Sequence, residues 1–192
     1  MLFRSRMGAL DRWVIAQAFG FISANKESLA GLGAFSINVS GNSLSEPDFL
    51  EFVLEQFSES QVPASMVCFE ITETSAIGHL DRVVEFIEKL KIIGVSFSLD
   101  DFGTGLSSYS YLRTLPVDYL KIDGVFVKDI KDSPHDLAVV KSINEIGHFM
   151  GKKTIAEYVQ DDDIVDILRQ VGVDYVQGFG VEEKKPITQL LN

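Results

Sequence analysis

The sequence predicts an α/β fold of the (β/α)8 TIM-barrel type, incomplete in this chain, and three observations carry that expectation. Short β-branched or aromatic runs alternate with longer helical patterns, giving one helix and then six strands with a helix between each successive pair. Alternation of this kind means parallel strands joined by right-handed crossovers. Each strand also ends on a residue able to bind a metal or make a hydrogen bond: Asn38, Glu70, Asp100, Lys121, Glu157 and Gln177. In a closed barrel the C-terminal strand ends converge on one mouth, whereas an open doubly wound sheet gathers its site at a single switch point. The even spread favours a ring. A full barrel takes eight strands and about 250 residues, so six strands leave two edges. Two strands lie upstream, or the N-terminal segment replaces them, or a second molecule covers the gap.

The elements follow in order. Helical spacing from about Met7 to Glu27 places Leu10, Val14, Ala18 and Phe21 three and four residues apart. A strand is expected at Ala34–Val39, then a helix at Glu46–Ser58 with Pro47 in its first turn, where a missing N–H costs little. Strand Met66–Ile71 precedes helix Leu80–Ile93, closed by Gly94. Strand Val95–Leu99 runs into the turn Asp100-Asp-Phe-Gly-Thr-Gly105, and a short helix near Ser107–Arg113 leads past Pro116 to strand Asp118–Ile122. A helix around Asp136–Met150, strand Lys153–Glu157, helix Asp162–Val171 and strand Asp174–Gln177 complete the pattern before a polar tail.

Composition narrows the function. The 192 residues are 46% hydrophobic, enough for one sizeable core, and 15 Gly with 5 Pro exclude low-complexity character. A single domain over 1–192 is expected, irregular at 1–6. The 17 basic residues against 28 acidic ones give a net charge of −11, which excludes nucleic-acid binding by counterion release. A small anion remains accessible where metal ions reverse the local field. One cysteine, Cys68, permits no intramolecular disulfide and fits a reducing cytoplasm. No run is long enough to cross a bilayer.

The chemistry-bearing residues are mostly carboxylates. Glu70-Ile-Thr-Glu73 sets two of them three apart, with Glu70 able to point into the mouth and Glu73 beyond it in a loop. Asp100-Asp101 places two side by side at the next strand end. Paired carboxylates repel unless a proton or cation lies between them. With the neutral oxygen of Asn38 the set is hard and oxygen-rich, suiting Mg²⁺ or Mn²⁺ rather than zinc. Acidic strand ends also cap helices, but capping does not require one at nearly every strand. Lys121 places a cation inside this acidic mouth, where it can orient water and offset developing phosphoryl charge. Asp123 can equally begin a helix. Glu157 can ligate metal or accept a proton from water, and Gln177-Gly178 supplies an amide and a flexible backbone. The two glycines of the Asp100–Gly105 turn do not make a P-loop, since no Lys-Ser/Thr follows; a mobile loop held by Glu73 fits better. His79, His135 and His148 fit no metal spacing, Cys68 and Trp13 read as packing residues, and Asp161-Asp-Asp163 reads as a helix start.

Taken in order, Asn38-Val-Ser40, Glu70-Ile-Thr-Glu73, Asp100-Asp-Phe-Gly-Thr-Gly105, Leu115-Pro-Val-Asp118, Lys121-Ile-Asp123, Ala156-Glu157 and Gln177-Gly178 resemble the EAL family, from about Leu10 to Pro186. That family comprises bacterial phosphodiesterases that linearise cyclic di-GMP with Mg²⁺ or Mn²⁺ on a modified (β/α)8 barrel. The resemblance implies that Asn38, Glu70 and Asp100 hold one ion and Asp101 a second. Lys121 and Glu157 then position and activate water, with Gln177 and Asp123 beside them. Glu73 anchors the Asp100–Gly105 loop, which the family links to dimer formation. The Glu-Ala-Leu tripeptide that names the family does not occur here, so a metal-ligating glutamate and a substrate-binding arginine of the first two strands are missing. In Ala156-Glu-Tyr-Val-Gln160, Tyr158 stands for the family's glycine and Gln160 for a carboxylate. The stretch from Gly180 to Lys185 is longer and more charged than the usual ending.

Two functions follow. One is a cyclic-di-GMP phosphodiesterase, weak or inactive as it stands, with cyclic di-GMP and a homodimer partner or upstream segments at its strand edges. The other is a non-catalytic relative that binds cyclic di-GMP or a partner protein. An enolase-type Mg²⁺ lyase fits less well, because a strand-end Asn accompanies the Asp-Asp-Phe-Gly loop.

Overall fold

The computed structural model describes residues 4–29, 31–104 and 109–191. The chain runs α1 (Arg4–Ala24), β1 (Phe35–Asn38), α2 (Gly41–Leu44), α3 (Phe49–Ser60), β2 (Val67–Thr72), α4 (Glu73–Gly78), α5 (Leu80–Ile92), β3 (Ser96–Phe102) and α6 (Tyr109–Leu112). It continues through β4 (Tyr119–Ile122), α7 (Gly124–Val127), α8 (Pro134–Phe149), β5 (Lys153–Ala156), α9 (Asp162–Val171) and β6 (Tyr175–Val176). The six strands form one parallel sheet in sequence order, β1 to β6. All six expected strands are present. Gly105, Ser107 and the rest of 105–108 lie outside the described residues.

The chain divides into two compact units: Met1–Phe97 with Thr114–Pro116 and Pro186–Asn192, and Ser98–Arg113 with Val117–Lys185. In the first, β2 is buried along nearly its whole length, as its unbroken apolar run Val67-Cys-Phe requires of a parallel strand covered on both faces. Phe69 packs against Phe86 and Phe97 with ring centroids 6.1 and 5.9 Å apart, and Phe49 stacks on Phe86 at 5.7 Å. Each such ring contributes about 1.5–3 kcal/mol by leaving water.

In the second unit β4 and β5 pair Leu120 with Thr154 and Ile122 with Ala156. Helix α8 rides close over β5 because Gly147 has no side chain: a Cβ there would meet Thr154 Cγ2 at 2.9 Å. Helix α9 has the expected bounds. Asp161 accepts from the Ile164 N–H at 3.1 Å at its start, and Gly172 adopts φ +88° at its end.

Several expectations are corrected. Helix α1 begins at Arg4, so residues 4–6 are helical rather than irregular. Its buried side is Gly8, Asp11, Ile15, Phe19 and Ile22, one residue away from the Leu10/Val14/Ala18/Phe21 stripe. Leu10 is 48% and Trp13 60% exposed, so Trp13 is not a core residue. The face turns because Asp11 has a use inside: its Oδ2 accepts from Ser40 N at 2.9 Å and from Ser43 Oγ at 2.6 Å. Pro47 precedes the Asp48 cap of α3 rather than lying in the helix. Strands β2 and β3 run past Glu70 and Asp100 to Thr72 and Phe102, whereas Glu157 and Gln177 lie one residue beyond β5 and β6.

Candidate active site

In the first unit, strand register sets two of the expected ligands side by side. Asn38 is the Cα partner of Glu70 across the parallel β1–β2 pair, so their side chains leave on the same face. Asn38 is exposed and Glu70 is 6% exposed. The chain then turns at Ser40, which caps α2 and is tied to Asp11 through its backbone N–H. Asp11 thereby fixes the exit of β1 two residues past Asn38, a role its place on an apolar helix face could have signalled. A cavity of about 490 Å³ opens here, with Asn38, Asp11, Ser40 and Thr72 in its wall. Glu73 is not in a loop: it is the first residue of α4, 2% exposed, because Thr72 caps that helix and accepts from Ser75 N at 3.4 Å.

In the second unit, alternation and one irregularity assemble the rest. Leu99 pairs with Leu120 and Phe102 with Ile122, so β3 spends three residues where β4 spends two. The extra residue is a bulge, and Asp101 takes φ +57° within it. Strict alternation would send Asp100 and Asp101 to opposite faces; the bulge re-aims them. Lys121 pairs with Ile155, and Glu157 follows two residues later on the same face.

Lys121 is 3% exposed, with Nζ 3.0 Å from Asp100 Oδ1 and 2.6 Å from Glu157 Oε1. One carboxylate oxygen each of Asp100, Asp101 and Glu157 lies within 4.8 Å of the others. Asp123 caps α7, accepting from Val125 N at 2.7 Å. The Gln177 N–H donates to Ala156 O at 2.9 Å, holding the exposed Gln177 beside β5. Asp101, Asp123, Glu157 and Gln177 line one cavity of about 650 Å³.

Close approach of two backbone segments closes this wall. Val159 N donates to Gln177 O at 3.0 Å and Gly180 N to Val159 O at 2.9 Å. A Cβ on Gly178 would come 2.1 Å from Val159 O, so only glycine fits. The three histidines, expected on the surface or a helix face, are exposed: His79 precedes α5, and His135 and His148 lie on α8, with His148 paired to Asp174 at 2.7 Å. Cys68 is buried.

The donor set is hard oxygen throughout, three carboxylates within reach of one cation, and it fits a hard divalent metal ion. A parallel α/β protein of the TIM-barrel type with a lysine-braced carboxylate cluster at its strand ends is thereby defined. The EAL domain profile matches residues 4–184, and the chain belongs to that family. Cyclic di-GMP phosphodiesterase PdeB of Shewanella oneidensis is 44% identical over 181 residues, 94% of this chain and 21% of that protein. Cyclic di-GMP phosphodiesterase PdeA of Borreliella burgdorferi is 39% identical, over 93% of this chain and 26% of its own length. The chain thus spans about a quarter or less of these curated relatives. Among solved structures, the PaMucR phosphodiesterase in complex with c-di-GMP has a TM-score of 0.88 at 28% identity, over 95% of this chain and 74% of that one. The EAL domain of Mycobacterium smegmatis DcpA has a TM-score of 0.86 at 31% identity, over 96% and 83%. No helix among the described residues is long and apolar enough to cross a membrane.

Proposed function

We propose that this chain is a cyclic-di-GMP phosphodiesterase, one EAL-type domain over 1–192 working in the cytoplasm as a homodimer, that opens the cyclic dinucleotide to linear pGpG. Asn38, Glu70, Asp100 and Asp101 would hold one or two Mg²⁺ or Mn²⁺ ions. A bound ion supplies charge against the phosphodiester and lowers the pKa of water. Lys121 braces Asp100 and Glu157, Glu157 takes the proton from water, and Gln177 and Asp123 orient the substrate from the cavity wall. Glu73 fixes the end of β2 from the start of α4. The observation that carries this reading is Lys121, buried and bonded to Asp100 and Glu157, with three carboxylates gathered around it.

The relatives support it: the names of PdeB and PdeA state this activity, at 44% and 39% identity. Turnover should be weak, because the sequence holds no Glu-Ala-Leu tripeptide and Tyr158 and Gln160 replace the residues usual beside Glu157. Losses around a metal site run about 10–100-fold. A second reading, binding without hydrolysis, draws on those same two positions.

The test is chromatographic conversion of cyclic di-GMP with Mg²⁺ or Mn²⁺, run beside calorimetric titration. Slow formation of pGpG, stopped by EDTA and by Glu157→Gln, supports hydrolysis. Heat of binding without product selects the second reading, and neither product nor binding rejects both.

A further inference from the structure

We propose that Tyr158 is a substrate-binding residue for the dinucleotide, its ring being the face on which one purine base stacks beside the Glu157 carboxylate. This rests on the phosphodiesterase reading and deepens it.

The backbone gives the first argument. Tyr158 sits at φ +58°, a region where an L-residue's Cβ crowds its own carbonyl. Among the described residues other than glycine, only Gln61 and Asp101 share a positive φ; Gln61 ends a helix, and aspartate enters this region readily. A tyrosine does not. The conformation is imposed by hydrogen bonding: Glu157 N donates to Ile122 O at 3.2 Å and Val159 N to Gln177 O at 3.0 Å, so the chain changes partner strand at residue 158. Glycine would meet that demand without strain. A bulky residue held there costs stability, and such strain persists where the side chain has a use.

Placement gives the second. A Cβ on Gly124 would fall 2.5 Å from Tyr158 Cβ and 3.2 Å from its Cγ, so the turn after Asp123 leaves room for this side chain. Tyr158 is nevertheless 54% exposed, and it lines the same cavity as Glu157, Asp123 and Gln177. Phe179 stands in that wall at 62% exposure, with Lys184 Nζ 5.6 Å from its ring centroid. Aromatic faces beside ammonium groups take a flat heterocycle that carries phosphate.

The test titrates the chain and its Tyr158→Phe, Tyr158→Leu and Tyr158→Gly variants with cyclic di-GMP in Mg²⁺ by calorimetry. Tyrosine ring NMR and melting curves accompany it. Phe should bind as tyrosine does, Leu and Gly about 5- to 100-fold more weakly. One set of ring resonances, identified by its loss in Tyr158→Phe, should move upfield on ligand addition, and Tyr158→Gly should melt no lower than the parent. Equal affinity of the Leu variant, an unmoved ring, weaker binding by the Phe variant or a lower-melting Gly variant would each overturn the stacking role while the parent still binds. A parent that binds no cyclic di-GMP removes the phosphodiesterase reading and this inference together.

Discussion

Replacing Lys121 with methionine keeps the length of the side chain and deletes its charge. The ammonium is 3% exposed and bonded to Asp100 at 3.0 Å and Glu157 at 2.6 Å, so its loss leaves two carboxylates facing each other near a third, that of Asp101. Carboxylate oxygens no more than 4.8 Å apart repel by about 3.5 kcal/mol per pair at an effective dielectric near 20. Breaking a buried pair by removing one partner costs about 3–5 kcal/mol. Asp100 and Glu157 keep 14% and 21% of their side-chain surface, so some charge relaxes into water and the lower end applies, about 3 kcal/mol. For a chain of this size that is a fall in Tm of about 6–12 °C. Because the loss is one of positive charge, the variant's cluster should bind Mg²⁺ more tightly than the parent's, so the fall should be smaller in Mg²⁺ than in EDTA. Calorimetric melting of the parent and Lys121→Met in EDTA and in Mg²⁺ measures both quantities. A fall under about 2 °C, or the same fall with and without Mg²⁺, would show that the cluster is not held by charge.

Other sites give sharper contrasts. Gly178→Ala should destabilise by about 3 kcal/mol or more, since its Cβ must displace backbone at Val159, while Gly20→Ala, with nothing within 4 Å in α1, should stabilise by about 0.5–1 kcal/mol; urea midpoints separate them. Burial pushes the Asp174 carboxyl up, yet the Thr154 N–H at 2.8 Å and His148 at 2.7 Å bring it below the ordinary value. A depressed carboxyl stabilises above its unfolded-state pKa of about 3.9 and loses that contribution as pH falls through its folded value. Urea midpoints should therefore drop as pH falls below about 4, and Asp174→Asn should flatten that part of the drop.

The elements that could be read from the sequence are those with local signals at both ends. Helix α9 has its cap at Asp161 and its left-handed stop at Gly172, and its bounds agree to the residue. Helix α1 has no such signals, and its apolar residues run round several faces. Which face is buried was decided by Asp11 bonding to Ser40 and Ser43, about 30 residues away. Glu73 shows the same limit: its spacing from Glu70 placed it past the strand, but the Thr72 cap starts a helix there and draws it inside. The strand-end carboxylates were visible as residue types. What alternation could not show is the β3 bulge, which sets Asp100 and Asp101 into one cluster.

On the proposed function, the charges of that cluster connect the acidic chain to an anionic substrate. A net charge of −11 gives an anionic dinucleotide no long-range attraction, so the pull has to be local. Lys121 does not supply it, because Asp100 and Glu157 already accept its ammonium. Counting Asp100, Asp101 and Glu157 against Lys121 leaves two negative charges among side chains within a few ångströms. One divalent cation brings that group to neutrality, and a second turns it positive toward a phosphodiester. Lysine therefore serves to gather the carboxylates without cancelling them: a fourth acidic partner would raise their repulsion, and a second lysine would leave a single negative charge to hold the metal.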